Sequence, residues 1–317
     1  MAIVAKFRDA ERTRCKASIL VEGLSGRGKT GLALAIAYTL VPDWTKIAAV
    51  DTENRSMLLY TGTKLHTGEI VGKFKYGDLT ADDGFNPTHY QAFRDLAIET
   101  DMQALICDSI SHMWQYKGGI LDMVTQAQRK DPRLNKYTAW GLPEVVREKN
   151  MIMELIRNPR LHCINTVRVK EKMEFITNDE GKTDLRSLGE QEIAMPDLKY
   201  EPDLVLSLQD PGSDEGKPPV VKVIKSRYSP FVVDELYRMS NSMLNQLKLF
   251  LEEGTSPEEL NQIQTQEYIE EITKLLDNNT SARTIWPALK KQAGMETQKL
   301  EEIPLKKLKE LFGQLMA

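Results

Sequence analysis

A glycine-rich stretch, GLSGRGKT from Gly23 to Thr30, combines residue types that suit phosphate binding. Glycines let the backbone wrap so that successive N–H groups point at phosphate oxygens, and a following helix presents its positive end to the same anion. The pattern Gly23-x4-Gly28-Lys29-Thr30 lies between an apolar run and a helical pattern, which is the context of a P-loop. The alternative is an ordinary glycine-rich turn. The predicted phosphate contacts are Gly23, Ser25, Gly26, Arg27, Gly28, Lys29 and Thr30.

The chemistry of a P-loop assigns roles to two of these side chains. Lys29 would reach the β- and γ-phosphates of a nucleoside triphosphate, and Thr30 would offer its hydroxyl to Mg²⁺. Asp108 ends the apolar run ALICD and would hold the shell of the same Mg²⁺. A helix N-cap or a solvated acid at a strand end is the alternative for Asp108.

A second carboxylate, Glu53, ends the run AAVDTE and could polarise an attacking water. Water as the acceptor would make the protein an ATPase rather than a kinase. Asp51 competes with Glu53 for this role, and a solvated acid at a strand end is the alternative for either.

Apolar runs of strand length alternate with helical patterns in the first two thirds of the chain. Several runs show little polar alternation, which is typical of strands buried on both faces of a parallel sheet. We therefore predict an α/β fold with crossover helices, ending in an antiparallel strand pair. The predicted strands are 18–23, 46–53, 103–109, 161–167, 202–208 and 220–226, and the predicted helices of this part are 30–40, 88–100 and 142–158.

After about residue 240 the patterns are helical only. Gly254 is placed as a helix C′ residue, and Ser256, Pro257 and Glu259 form the sequence of a capping box. We predict a core domain over 1–250 and a small helical module over 255–317, whose last helix spans 305–316.

Several motifs in order resemble the core of the RecA-type recombinases. VDTENRSMLLY resembles the strand with the family's catalytic glutamate, Glu53 here, and an aromatic that packs on adenine, Tyr60 here. LICDSISHM resembles the Walker B strand, and INTVRVK resembles the segment whose polar residue senses the γ-phosphate. That residue is Thr166 here, where the bacterial recombinase has glutamine.

The segment VKVIKSRYSPF resembles the strand that carries two basic residues across a subunit interface in that family. The resemblance implies that Lys225 and Arg227 act on a neighbour's γ-phosphate, which makes hydrolysis depend on assembly. An edge strand protected by charges is the alternative. Within the family, the size of this chain and its compact N-terminus make it most similar to the phage-encoded single-strand annealing ATPases.

Two long segments, 112–141 and 169–200, are predicted as functional loops, and the resemblance implies that they line a DNA channel. Residues 112–175 carry a net charge of +5, whereas 51–110 carry −5. Basic groups follow phosphates and aromatic rings stack on unpaired bases, here Trp114, Tyr116, Tyr137 and Trp140. A solvated helical surface with tryptophan anchors is the alternative. The predicted DNA contacts are Lys117, Arg129, Lys130, Arg133, Lys136, Arg168, Lys170 and Lys172.

Composition limits the classes of protein that remain. The chain has 317 residues and a net charge of −4, so any case for nucleic acid must come from a local patch. Three dispersed cysteines indicate neither a disulfide framework nor a zinc site. No signal-peptide pattern or long apolar run is present, and we expect a cytoplasmic protein without a membrane partner, in a phage-infected bacterial host.

Together these features predict a RecA-like ATPase that uses ATP and Mg²⁺, forms a homo-oligomer as a ring or filament, and binds single-stranded DNA. Its predicted role is phage recombination by single-strand annealing or strand pairing, with a single-strand-binding protein as a further candidate partner. A ring-forming helicase or loader of the same superfamily is the first alternative. A P-loop kinase of a small metabolite is the second.

Overall fold

The computed structural model describes residues 9–177, 183–210 and 217–316. The chain divides into two compact units. One is Lys16–Leu251, and the other joins the described residues of Met1–Cys15 to Glu252–Ala317. The sequence placed 1–250 in the core, whereas residues 9–15 belong with the helical unit, where Thr13 forms a β-bridge to Thr255.

The larger unit is built on one mixed sheet with the strand order β3-β2-β4-β5-β1-β7-β8-β9. Neighbouring strands from β3 to β7 run parallel, and β8 and β9 are antiparallel additions. The predicted α/β class with a mostly parallel sheet and an antiparallel end is confirmed. The strands are β1 Ser18–Gly23, β2 Ile47–Asp51, β3 Lys75–Asp78, β4 Ala104–Asp108, β5 His162–Thr177, β6 Thr183–Glu192, β7 Leu204–Leu208, β8 Val220–Ser226 and β9 Leu236–Arg238.

Helices cover both faces of the sheet, so the central strands are buried on both sides. Ile19 of β1 packs into the apolar layer on one face, and Leu20 packs into the layer on the other. This double burial explains why the central strands are continuous apolar runs rather than alternating ones. The helices of this unit are α1 Lys29–Leu40, α2 Pro87–Glu99, α3 Ser111–Gln115, α4 Ile120–Lys130, α5 Lys136–Trp140, α6 Pro143–Ile156 and α7 Asn241–Glu252.

Most of the described residues in the two segments predicted as long loops instead form helices and strands. Residues 112–141 contain α3, α4 and α5, and Gly118 turns the chain between the first two with a φ of +79°. Strand β5 continues beyond the sheet to Thr177, and β6 returns antiparallel to it. The sequence VKEKMEFIT of this β5–β6 ribbon mixes charged and apolar residues, so it offers no continuous apolar run by which a buried strand is recognised.

The second unit contains α8 Pro257–Asn278, α9 Thr280–Gln292 and α10 Leu305–Met316 around its own apolar cluster. The predicted capping box is present, with Ser256 Oγ accepting from the Glu259 amide at 3.1 Å. Gly254 has a φ of +101°, as its predicted C′ position favours. In the described part of the chain, no helix combines the length and apolarity that a bilayer crossing requires.

Candidate nucleotide site

The glycine-rich loop forms a concave turn between the end of β1 and the start of α1. Gly26 and Gly28 have φ values of +81° and +86°, a left-handed conformation that L side chains rarely adopt. A Cβ added to either glycine would meet nothing within 4 Å, so backbone conformation rather than crowding requires glycine here. The first turn of α1 carries no acidic residue. The loop amides and the helix N-terminus therefore offer their positive ends to an anion.

Lys29 is held over the inside of this loop. Its side chain is 8% exposed, and Nζ donates to the carbonyl oxygens of Gly23 at 3.0 Å and Leu24 at 2.9 Å. Burial lowers the pKa of Lys29, while the nearby carboxylates of Asp108 and Glu53 act in the opposite direction. An ammonium group has three donors, so one remains for a phosphate oxygen.

Asp108 joins β4, α1 and β5 at the carboxyl ends of the parallel strands. It is 1% exposed at the end of β4, and its two oxygens accept hydrogen bonds from Thr30 Oγ1 of α1, at 2.5 Å, and from Thr166 Oγ1 of β5. Burial raises the pKa of Asp108, and the charges of Glu53 and Asp51 add to the effect. A cation beside this carboxylate would offset both contributions.

Hydroxyl and carboxylate oxygens are the ligands that Mg²⁺ prefers, so Thr30 and Asp108 fit this ion. Among the described residues, no group of three carboxylate, histidine or cysteine side chains forms a self-contained metal site. Two protein ligands, Thr30 and Asp108, are enough for Mg²⁺, because this ion keeps several waters and takes its remaining ligands from substrate phosphates.

Thr166 lies at the bottom of the site rather than at its rim. It is fully buried, pairs with Val21 across β5 and β1, and its hydroxyl is directed at Asp108. Its neighbour Asn165 is also buried, and the Asn165 Nδ2 atom has no hydrogen-bond partner among the described residues. Any signal from a γ-phosphate would therefore reach the Thr166 hydroxyl through the Asp108 carboxylate.

The two acids at the end of β2 have different environments. Asp51 is fully buried, and its oxygens accept from the backbone amides of Glu53 at 2.6 Å and Met57 at 2.9 Å. Asp51 therefore shapes the turn after β2. Glu53 keeps its carboxylate on the site side, so the geometry favours Glu53 over Asp51 as the group that could activate water.

The Glu53 carboxylate forms a bidentate ion pair with Arg168, which sequence analysis had placed among the DNA contacts. Nε of Arg168 donates to Oε1 at 2.5 Å and Nη2 donates to Oε2. Burial alone would raise the pKa of Glu53, but the hydrogen bond and charge of Arg168 outweigh it and lower that pKa. Nη1 of Arg168 also donates to the Tyr116 hydroxyl at 3.1 Å.

A buried histidine that sequence analysis did not single out lies behind this pair. His112 Nδ1 is 2.6 Å from Thr52 Oγ1, and its ring stacks on Phe85 with centroids 4.8 Å apart. Burial, with a smaller contribution from the Arg168 charge, lowers the pKa of His112 to about 4. The ring is therefore neutral near pH 7 and serves as a packed hydrogen-bonding group. A lone histidine in LICDSISHM gives no spacing signal that could have identified it.

Tyr60 lies beside the first turn of α1. A Cβ added to Gly31 would be 3.3 Å from the Tyr60 ring, so the glycine allows this close approach. Burial raises the pKa of the Tyr60 hydroxyl, with a further contribution from the Asp108 charge. The ring is therefore next to the phosphate loop, and its contact with adenine stays a prediction.

Lys225 and Arg227 lie at the opposite end of the sheet from this chain's own loop. Lys225 pairs with Val205 near the start of β7, whereas the end of β7 runs beside the end of β1. β8 ends at Ser226, so Arg227 follows the strand rather than belonging to it. Counted along the strands, Lys225 is level with Leu20, three steps or ~10 Å before Gly23 and two strands away from β1. Arg227 lies further from the loop, so neither side chain reaches Lys29.

Both cations have local partners at that end. Lys225 Nζ donates to the carbonyl oxygen of Tyr200, and Arg227 pairs with Asp203 at 2.9 Å. Asp203 also accepts from Arg157 at 2.6 Å. If these cations contact a triphosphate, it must be bound by another copy of the chain.

The aromatic residues of the predicted DNA segment divide into two groups. Trp114 and Trp140 stack on each other with centroids 5.8 Å apart and pack against the core, so they anchor the helices. Tyr137 is 76% exposed and Tyr116 is 37% exposed. These two tyrosines therefore present more ring surface to solvent than the two half-buried tryptophans.

The predicted DNA-binding cations are likewise dispersed. Lys117, Arg129 and Lys130 are exposed around α4, and Lys170 is exposed on the β5–β6 ribbon. Arg133 forms a close pair with its neighbour Asp131 at 2.9 Å. The side chains of Lys136 and Lys172 lie outside the described part of the structure.

No protein-family model matches this sequence, and no curated protein matches it. Strands β1, β2, β4 and β5 bring a loop of amide donors, a buried ammonium group, a buried carboxylate with two hydroxyl partners and a second, accessible carboxylate to one edge of the sheet. This set can bind a phosphate chain with a hard cation and activate a nucleophile beside it.

A further carboxyl, Glu22, lies directly before the loop. It is 6% exposed, and burial with the nearby Glu192 charge raises its pKa to about 7. The loop residue Arg27 pairs with Glu190 of β6 at 3.0 Å. The Arg27–Glu190 ion pair thus links the phosphate loop to the start of the ribbon, beside the buried carboxyl of Glu22.

We expect Glu22→Gln to change stability in a pH-dependent way. The folded state holds the Glu22 proton up to about pH 7 and the unfolded state only to about pH 4.5, so wild-type stability falls as pH rises between these values. Glutamine stays neutral throughout. Urea unfolding should show similar stabilities at pH 5 and a variant more stable by roughly 1–3 kcal/mol at pH 8.

Glu171→Gln, on an exposed position of β5, is the matched control and should show no such divergence. If the stability difference between Glu22→Gln and wild type is the same at both pH values, the raised pKa of Glu22 is contradicted.

Proposed function

We propose that the protein is an ATP- and Mg²⁺-dependent ATPase with a RecA-like core that assembles into a homo-oligomer and binds single-stranded DNA. The observation that carries the proposal is the convergence of Lys29, Thr30, Asp108 and Glu53 around the glycine-rich loop. The resemblance of the motifs to phage annealing ATPases supports recombination, by single-strand annealing or strand pairing, as the biological role.

In this function the loop amides and Lys29 bind the β- and γ-phosphates. Thr30 and Asp108 hold Mg²⁺, which when bound neutralises charge that develops on the phosphate oxygens. Because Asp108 is fixed by two hydroxyl groups from different elements, α1 and β5 are aligned before the ligand arrives. This preorganisation lowers the reorganisation that binding requires.

Glu53 orients the attacking water and takes its proton as the bond from water to the γ-phosphorus forms and the bond to the β-phosphate oxygen breaks. Asp51 fixes the backbone of the turn, so the Glu53 carboxylate enters the site from a defined direction. The products are ADP and inorganic phosphate. A general base within reach of the water typically contributes 10²–10⁴-fold, so loss of the carboxylate should cost a rate factor on the order of 10² or more.

Assembly completes the site with Lys225 and Arg227 of a neighbouring copy. Their position at the far end of the sheet supports action in trans, because neither side chain can reach this chain's own loop. A contact between the loop end of one copy and the opposite end of the next is heterologous, which generates rings or filaments.

Single-stranded DNA is proposed as the polymer ligand on charge and on the motif resemblance. The exposed cations Lys117, Arg129 and Lys130 and the exposed ring of Tyr137 support a site along α4 and α5. The packed tryptophans do not contribute to it. Backbone neutralisation by a few cations gives salt-dependent binding that is tolerant of sequence.

The first test is nucleotide-linked DNA binding by wild type and Lys29→Ala. We expect wild type to bind a labelled oligothymidylate more tightly with Mg²⁺ and a non-hydrolysable ATP analogue, as a particle several times the monomer mass. Lys29→Ala should bind a fluorescent ATP analogue at least about tenfold more weakly and lose the linkage, because one charged phosphate contact is removed. Lys64→Ala, outside the site, is the control.

Nucleotide binding and turnover by Lys29→Ala equal to wild type, in a folded sample, would contradict the ATPase. Turnover without DNA binding at any salt concentration would leave a nucleotide-dependent scaffold or a kinase. Directional unwinding of a forked duplex would instead identify a ring-forming helicase or loader.

The second test is complementation between two inactive variants. We expect the double variant Lys225→Ala with Arg227→Ala to lose hydrolysis, and an equal mixture with Lys29→Ala to recover it at about a quarter of the interfaces. Each recovered site would join an intact loop from one variant to intact cations from the other. Lys222→Ala, which removes the β8 pair with Asp234, should hydrolyse like wild type. Full activity of the double variant alone would rule out action in trans.

A further inference from the structure

Arg168 occupies the point where the core sheet gives way to the β5–β6 ribbon. In the pairing of β5 with β1 it stands opposite Gly23, the first residue of the phosphate loop. Its backbone amide donates to Ser111 Oγ at 2.9 Å, and its carbonyl accepts from the Ile193 amide at 2.8 Å. The main chain at Arg168 is therefore anchored on both sides while its side chain reaches across the edge of the sheet.

The side chain links the candidate base to the predicted DNA segment. Its guanidinium uses two nitrogens on Glu53 and the third on the Tyr116 hydroxyl. The ion pair is accessible from solvent, with 29% of the Arg168 side chain and 22% of the Glu53 side chain exposed. An anion from outside can therefore reach the guanidinium without unfolding the site.

This pair opposes the chemistry proposed for Glu53. Both carboxylate oxygens already accept from a cation, which stabilises the ionised form and weakens it as a proton acceptor. Burial acts in the other direction on the pKa of Glu53, because desolvation disfavours the carboxylate, whereas the Arg168 contacts lower that pKa. General-base efficiency is greatest when the base has a pKa near the working pH, so removing Arg168 should strengthen the base.

We propose that Arg168 is a positioning residue that holds Glu53 in a resting state, and that a phosphate of single-stranded DNA releases Glu53 by taking the guanidinium. This proposal rests on the proposed ATPase function. DNA is the favoured occupant because Arg168 contacts Tyr116, which is exposed at the start of the basic segment, and stands at the root of the ribbon that carries Lys170.

The exchange is balanced in charge and in protons. The guanidinium leaves one anionic partner, the carboxylate, for another, the phosphodiester, and guanidinium geometry suits bidentate binding to both. Glu53, still ionised, then accepts the proton of the attacking water. DNA binding would thus be coupled to hydrolysis by one side chain, without a change of fold.

The test measures ATP hydrolysis by Arg168→Ala and Arg168→Lys, each with and without oligothymidylate. We expect kcat of Arg168→Ala without DNA to be about tenfold above wild type, with little change in KM, since the base and not the phosphate site is altered. Stimulation by DNA should fall to near one. Arg168→Lys keeps the charge but loses bidentate geometry and should fall between the two.

A pH profile separates this role from a merely structural one. Without DNA, the acid limb of kcat should lie at higher pH in Arg168→Ala than in wild type, because the Glu53 carboxylate has lost its cation. Addition of Glu53→Gln to Arg168→Ala should abolish the gained activity. Arg147→Ala, which removes another guanidinium–carboxylate pair while Glu148 keeps Thr88 as donor, should leave both rate and profile unchanged.

The outcomes distinguish this proposal from the proposed function. DNA-stimulated hydrolysis in wild type together with no gain, or a loss, in DNA-free Arg168→Ala overturns the resting-state role and leaves the ATPase intact. ATP hydrolysis by Arg168→Ala, when wild type shows none, supports the resting-state role of Arg168. If neither protein hydrolyses ATP, with or without DNA, both the resting-state role of Arg168 and the ATPase function are contradicted.

Discussion

The carboxylate of Asp108, 1% exposed and ionisable, is the group on which the rest of the site depends. A buried carboxylate is costly unless it accepts strong hydrogen bonds, and here the hydroxyls of Thr30 and Thr166 supply them. These bonds join α1 and β5 to the end of β4, so the phosphate loop and the sheet edge are fixed relative to each other. A cation placed beside the same oxygens would relieve the remaining excess of negative charge from Glu53 and Asp51.

Strands that are buried on both faces could be predicted from the sequence because continuous apolar runs have few other uses. β1 and β4, buried along their whole length, follow their predicted bounds within one residue, and so does the half-buried strand β8. The β5–β6 ribbon could not be found in this way, since its charged and apolar residues form no continuous apolar run. The short edge strand β3, KYGD, also carries no apolar run, and its pairing with β2 depends on tertiary contacts.

In the candidate site too, some residues could be predicted from the sequence and others could not. Lys29 and Thr30 stand in a local pattern whose spacing carries the chemistry, and Asp108 was recognised as the acid that ends an apolar run. The structure brings the three together. The partner of Glu53 could not be deduced, because Arg168 is 115 positions away and its type alone suggested a DNA contact. The choice between Asp51 and Glu53 likewise needed the backbone, since only the geometry of the turn shows that Asp51 binds amides.

Hydrogen exchange of the loop measures the central interaction, a phosphate chain held by main-chain amides. With Mg²⁺ and a saturating non-hydrolysable ATP analogue, peptides that cover Leu24 to Gly28 should exchange their amide protons more slowly than in the ligand-free protein. Peptides of α9, in the helical unit, provide an internal reference in the same sample. Unchanged exchange in the loop at saturating nucleotide, or protection confined to another surface, would contradict phosphate binding at this site.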